Sequence, residues 1–238
     1  MMTRSRRIMI FVVLALCSSA AGTAIAADPV AVVGDDLDQS CGPPPPGHPT
    51  MGRRDYRARD LNRNNQRDWR FHEYYHLRPA EAQLRSGKNL QDGVMNNLHF
   101  VLHKVPNNEE ALRILIEWDL AGGSQERYAL PRCYFAWARQ FAPDDVVVWN
   151  YGAYYFMRKG ETDRAEQWWQ QTIHIDPDNA EAHYNLGLLA LRQSDYDMAR
   201  THAWAAYANG YPLPGLRESL VRAGQWRDAP VGSSATVP

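Results

Sequence analysis

The chain is poor in cysteine, has no large excess of charge of one sign, and lacks long apolar runs. Three cysteines in 238 residues cannot build a disulfide framework or a cysteine-rich metal site. Basic and acidic residues number 26 and 27, so no global basic surface points to nucleic acid. No glycine-rich phosphate loop, nucleophile elbow or cysteine pair at metal spacing occurs, and no cofactor is expected. Strand-like alternation is also missing.

The apolar run Ile8 to Cys17 follows three arginines and leads to Ala24-Ile25-Ala26. Ten residues are too few to cross a bilayer core of roughly 30 Å, and the layout is that of a bacterial export signal. Residues 1–26 are therefore expected to be a signal peptide cleaved after Ala26, with no stable transmembrane span. A periplasmic location follows. The alternatives are secretion, or membrane attachment through an uncleaved signal or a lipidated Cys17, against which the bulky Leu16 argues. Cleavage leaves 23 basic against 27 acidic residues, about −4, and roughly 210 residues, enough for one domain with a real core. An oxidising compartment permits a bridge between Cys41 and Cys133. The helical apolar pattern around Cys133 (Tyr134, Phe135, Trp137) favours a buried thiol instead.

Residues 27–70 read as a flexible Pro/Arg-rich segment. CGPPPPGHP (Cys41 to Pro49) is extended, and Met51 to Arg70 sets seven arginines against three aspartates. A solvated tether accounts for this run. Docking of an envelope assembly factor through the basic segment 51–70 is the functional alternative. In FHEYYHLRPAEAQL, His72, Glu73 and His76 match His-Glu-x-x-His, which would place two imidazoles on one helix face with a carboxylate to orient water. A metal-dependent hydrolase is the alternative this triplet supports. Pro79 lies three residues beyond His76, so the helix carrying the pair is expected to be short or to end there. No downstream ligand motif stands out.

From Ala80 to Trp226 the apolar period is helical. Pro106-Asn107-Asn108, Pro143-Asp144-Asp145 and Pro177-Asp178-Asn179 interrupt it at intervals of 37 and 34 residues, room for two antiparallel helices each. In 146–179, Trp149 holds a large aromatic position, Ala153 a small one, Gly160 the turn, and Ala165 and Thr172 the second helix. In 180–211, His183, Leu186-Gly187, Ala190, Ala199, Ala203 and Ala206 follow the same order. With these residues the chain resembles the tetratricopeptide repeat family, and within it exported bacterial members of poorly defined role. The departures are His183 where the family has tryptophan, Ser194 for the turn glycine, and Tyr211 where a proline is usual. The resemblance implies an all-α fold, a right-handed superhelix of antiparallel helix pairs (a TPR-like solenoid). It extends over 71–226, with units about 75–108, 109–145, 146–179 and 180–211. A helix over 215–226 is expected to cap the apolar end of the stack, and 227–238 to be a disordered tail.

Stacked pairs curve so that the first helices line the concave face. In that register Arg113, Glu117, Asn150, Tyr154, Arg158, Tyr184, Leu188 and Arg192 point inward. Tyrosines with arginines suit an extended peptide and its carboxylates. The function expected is a non-catalytic scaffold of the periplasm or cell envelope, with a protein or peptide ligand on the concave face. The adjacent Trp168 and Trp169 are expected to divide between the core and an exposed edge. Glu161, Asp163 and Glu166, and likewise Asp195 and Asp197, sit where they complement a helix N-terminus.

Overall fold

The computed structural model describes residues 35–44, 53–58, 69–87, 93–123 and 127–229. The expected signal peptide 1–26 with Cys17, residues 45–49 of the proline run, and residues 230–238 of the tail lie outside them. Every regular element among the described residues is helical. Helix α1 is Asp35–Cys41, and a 3-10 turn spans Tyr56–Ala58. A helical stretch over 69–86 contains a π turn, Glu73–Leu77, and then α2, Arg78–Ser86. There follow α3 Gly93–Lys104, α4 Glu109–Leu120, α5 Pro131–Phe141, α6 Val146–Arg158, α7 Thr162–Ile175, α8 Ala180–Arg192, α9 Tyr196–Ala208 and α10 Gly215–Arg222.

Each proline-plus-polar break ends in a residue that caps the next helix. The side chains of Asn108, Asp145 and Asn179 accept hydrogen bonds from the backbone N–H of Ala111, Val147 and Ala182, and Asp195 does the same for Met198. Each cap satisfies an otherwise orphaned donor and contributes about 1 kcal/mol. The helices pack in pairs, α2 with α3, α4 with α5, α6 with α7 and α8 with α9. First helices also touch along the stack, α2 with α4 and α4 with α6. Helix α10 lies across α8 and α9 and buries Leu216 and Leu220 completely. The result is an all-α helical solenoid closed by a terminal helix, as the repeat pattern implies.

The main core is aromatic, with Trp118, Phe135, Phe156, Trp168 and Trp169 fully or almost fully buried. Neither Trp168 nor Trp169 is exposed, contrary to the expected division. Helix α7 is covered on two sides, by α6 and by α8, so two adjacent positions about 100° apart are both enclosed. The last pair is packed on small residues. A side chain on Gly187 would meet Leu216 Cδ2 at 2.5 Å and the Ala199 carbonyl at 3.3 Å, and Ala199, Ala203 and Ala206 are fully buried. Close approach of α8, α9 and α10 needs these residues.

Where a flexible segment is expected over 27–70, its described parts are docked on the repeats. Cys41 and Cys133 are joined in a disulfide, with a Cα–Cα distance of 5.2 Å, which corrects the buried-thiol reading. Helix α1 thereby lies on α5, Leu37 is buried, and the Trp137 indole N–H donates to the Gly42 carbonyl (3.1 Å). Closing a loop of 92 residues contributes roughly 4–5 kcal/mol by the chain-entropy account.

Residues 53–58 bind the two turns that precede α4 and α6. Asn107 donates to Asp55 and Asp145 (2.8 Å each) and accepts from the Tyr56 backbone N–H (2.9 Å). Arg57 bridges Asp55 (2.6 Å) and Asp144 (2.9 Å), and its guanidinium holds the Asp55 carboxyl down at about 2. Tyr56 and Trp69 meet edge to face at 5.4 Å above Val105. Asn107 reaches Asp55 and Asp145 across 52 and 38 positions, and Arg57 reaches Asp144 across 87, which local composition does not reveal.

Candidate functional site

A cleft of about 510 Å³ opens on the face formed by the first helices. Helix α4 supplies Arg113, Ile116, Glu117 and Leu120, with Ala121 just beyond it. Helix α6 supplies Tyr151, Tyr154 and Arg158, and α8 supplies Glu181. Of the eight residues the sequence places inward, Arg113, Glu117, Tyr154 and Arg158 line this cleft. Asn150 is buried instead and donates to Asn179 Oδ1 (3.1 Å), bracing the turn before α8. Tyr184 is also buried, stacked on Tyr211 at 4.1 Å, and Leu188 packs against the same terminal cluster. Arg192 is exposed and reaches Met157 Sδ (3.7 Å).

The lining that the sequence reading misses is Ile116, Leu120, Ala121, Tyr151 and Glu181. A periodic signal for Tyr151 exists. Steps of four residues from Asn150 to Arg158 drift by about 80° around a helix, whereas Tyr151 and Arg158, seven apart, differ by about 20°. The stripe is thus i, i+3, i+7, and Asn150 falls off it.

Charges around the cleft differ in how they are used. Arg113 is consumed by Glu81 (2.5 Å) and Glu117 (2.6 Å), and Lys159 by Asp119 (2.9 Å). Arg158 bonds the Tyr154 hydroxyl (2.7 Å), with its guanidinium 5.7 Å from that ring, and makes no ion pair among the described residues. Glu109, Glu110 and Glu181 likewise make no side-chain hydrogen bond or ion pair among them. Burial pushes the carboxyls of Glu110 and Glu181 up, although Glu181 is an exposed residue. The Tyr151 hydroxyl is pushed up by burial and then by Glu109 and Glu181, which puts all three in one neighbourhood.

The histidine pair sits in an aromatic wall. His72 is buried, and the two rings are 6.1 Å apart. His76 stacks on Phe100 at 4.1 Å and is hydrogen-bonded through Nδ1 to Asn97 Oδ1 (3.1 Å). The helix does not end near Pro79, as the sequence reading expects. In the π turn the Arg78 N–H bonds back to Glu73, and this wider turn accommodates a proline that lacks a donor and crowds the carbonyl four residues earlier. Among the described residues no group of three or more His, Cys, Asp or Glu side chains is placed to hold a metal ion. Among them, too, no helix is long and apolar enough to cross a membrane.

Comparison with known proteins bears on the middle of this framework. No curated protein matches the chain. A family model described as TPR repeat matches residues 153–194, from α6 through α7 to the turn after α8, and that stretch is a TPR repeat.

Proposed function

We propose that this chain is a non-catalytic scaffold of the periplasm or cell envelope, holding a protein or peptide segment in the cleft between α4, α6 and α8. The observation that carries the reading is the convergence of Arg113, Glu117, Tyr154 and Arg158 on one open cleft with an apolar floor of Ile116 and Leu120. Aromatic and arginine side chains around an apolar depression are the residue types that dominate protein recognition. The TPR match over 153–194 supports a role in binding over one in catalysis. The Cys41–Cys133 disulfide supports an oxidising compartment, where such bonds persist.

Docking through the basic segment is disfavoured at Arg57, whose charge is already spent on Asp55 and Asp144. Affinity capture from the envelope fraction, with the tagged chain and with its Tyr154→Ala, Arg158→Ala variant, tests the proposal. Partners held by the first and lost by the second are expected. Partners retained equally by both would reject the cleft.

A further inference from the structure

Of the four charged residues that line the cleft, Arg113 and Glu117 pair with each other, and the remaining two, Glu181 and Arg158, stand at opposite ends of it. At the N-terminal ends of α4 and α8 stand Glu109, Glu110 and Glu181, all without a hydrogen bond or ion pair among the described residues. At the C-terminal ends of α6 and α8 stand Arg158 and Arg192, with a hydroxyl and a thioether as their hydrogen-bond partners. Between them lie Ile116, Leu120, Tyr151 and Tyr154.

Helix dipoles alone favour acids at first turns and bases at last turns. That account predicts solvated carboxylates held at or below their usual range. Glu110 and Glu181 behave in the opposite way: burial pushes both up, outweighing the pull of Arg113 on Glu110. Charges of opposite sign at the two ends of the cleft, neither held in an ion pair among the described residues, with Ile116 and Leu120 between them, suit a ligand that brings both countercharges.

Resting on the cleft as the binding site, we infer that it takes an extended peptide segment with a basic side chain at the Glu181 lip, an acidic side chain at the Arg158 lip, and apolar or aromatic residues between. The spacing follows from the helices. Glu181 is level with position 147 of α6 in the 34-residue repeat, and Arg158 is eleven residues further along, about 16 Å of axial offset at 1.5 Å per residue and about 19 Å once a step of roughly 10 Å between helices is included. An extended chain covers that distance in about six residues.

Selection of a random heptapeptide library displayed on phage against the purified chain tests the inference. Enriched peptides are expected to carry a base and an acid four to six positions apart in one fixed order. The double reversal Glu181→Arg, Arg158→Glu is expected to invert that order. For an enriched peptide, Glu181→Gln should weaken binding about tenfold, the loss of one charge-assisted contact. Peptides that are lost with Tyr151→Ala, Tyr154→Ala but show no charge order, or keep their order in the reversal, would overturn the inference and leave the cleft standing. No enrichment, or enrichment indifferent to those two alanines, would overturn the cleft as well. All four side chains lie on the surface of the cleft, and a melting curve for each variant checks that it folds.

Discussion

Trp149 and His183, one 34-residue repeat apart, make the same hydrogen bond with different rings. The Trp149 indole N–H donates to the Pro143 carbonyl at 2.8 Å, and His183 Nε2 lies 2.9 Å from the equivalent Pro177 carbonyl. The substitution brings a second nitrogen that tryptophan lacks. With Nε2 donating to a carbonyl, neutral His183 presents Nδ1 as an acceptor, and it faces His202 Nδ1 at 3.0 Å inside the α8–α9 pair. His202 therefore donates, and both rings are locked in one tautomer.

That pair predicts acid sensitivity of the last repeat. Burial, and then the neighbouring His183, lower the His202 value to about 4. An unfolded histidine takes up its proton near 6.5. The stabilisation is therefore complete above pH 6.5 and is lost as pH falls from 6.5 towards 4, by an amount on the order of 2–3 kcal/mol. Glu110 and Glu181, whose carboxyls are raised, act with the opposite sign at the acid end. Urea unfolding between pH 7.5 and 4.5 should show the loss, and His202→Leu should flatten the slope over this range. An unchanged slope in that variant would assign the acid sensitivity elsewhere.

Ser194 stands where the preceding repeat has Gly160, and it takes up the same left-handed backbone, φ 63° against 81°. A side chain there costs about 1 kcal/mol relative to glycine. Ser194→Gly is expected to raise the melting temperature by a few degrees without altering the helix content. A lower melting temperature would mean that the seryl side chain makes a contact worth more than the strain.

Gly152 is a packing position. A methyl group added to it would lie inside the indole of Trp168, which is fully buried between Trp149 and Phe156. Overpacking of this kind costs typically 1–3 kcal/mol or somewhat more, because the ring has nowhere to move. At Gly187 the nearest obstacle is the flexible end of Leu216, so Gly187→Ala should be the milder change. Denaturant midpoints of the two variants check the order, and equal values would contradict it.

Removal of the disulfide should be felt across the N-terminal half. Cys41→Ser, Cys133→Ser frees α1 and loosens a loop of 92 residues, with an expected loss of about 2–5 kcal/mol. Hydrogen exchange should rise in α1 and around Trp137, whose indole is tied to Gly42, while α8 to α10 remain protected. Uniform loss of protection would show that the chain unfolds as one unit.

The sequence by itself determined the helix pairs, their turns and their caps. A proline followed by Asn or Asp starts a helix through contacts within four residues, and the apolar period then fixes which side of that helix is covered. The terminal helix and the small residues under it, Gly187, Ala199 and Ala203, were legible for the same local reason. Tertiary structure alone decided the rest. That Trp169 is enclosed, that Cys41 meets Cys133, and that Arg57 crosses to Asp144 depend on segments far apart in the chain. The cleft shows the boundary between the two. A stripe on one helix brought Tyr154 and Arg158 into view, but Glu181 joins them because the fold brings the start of α8 to the same cleft, and no period within either helix records that.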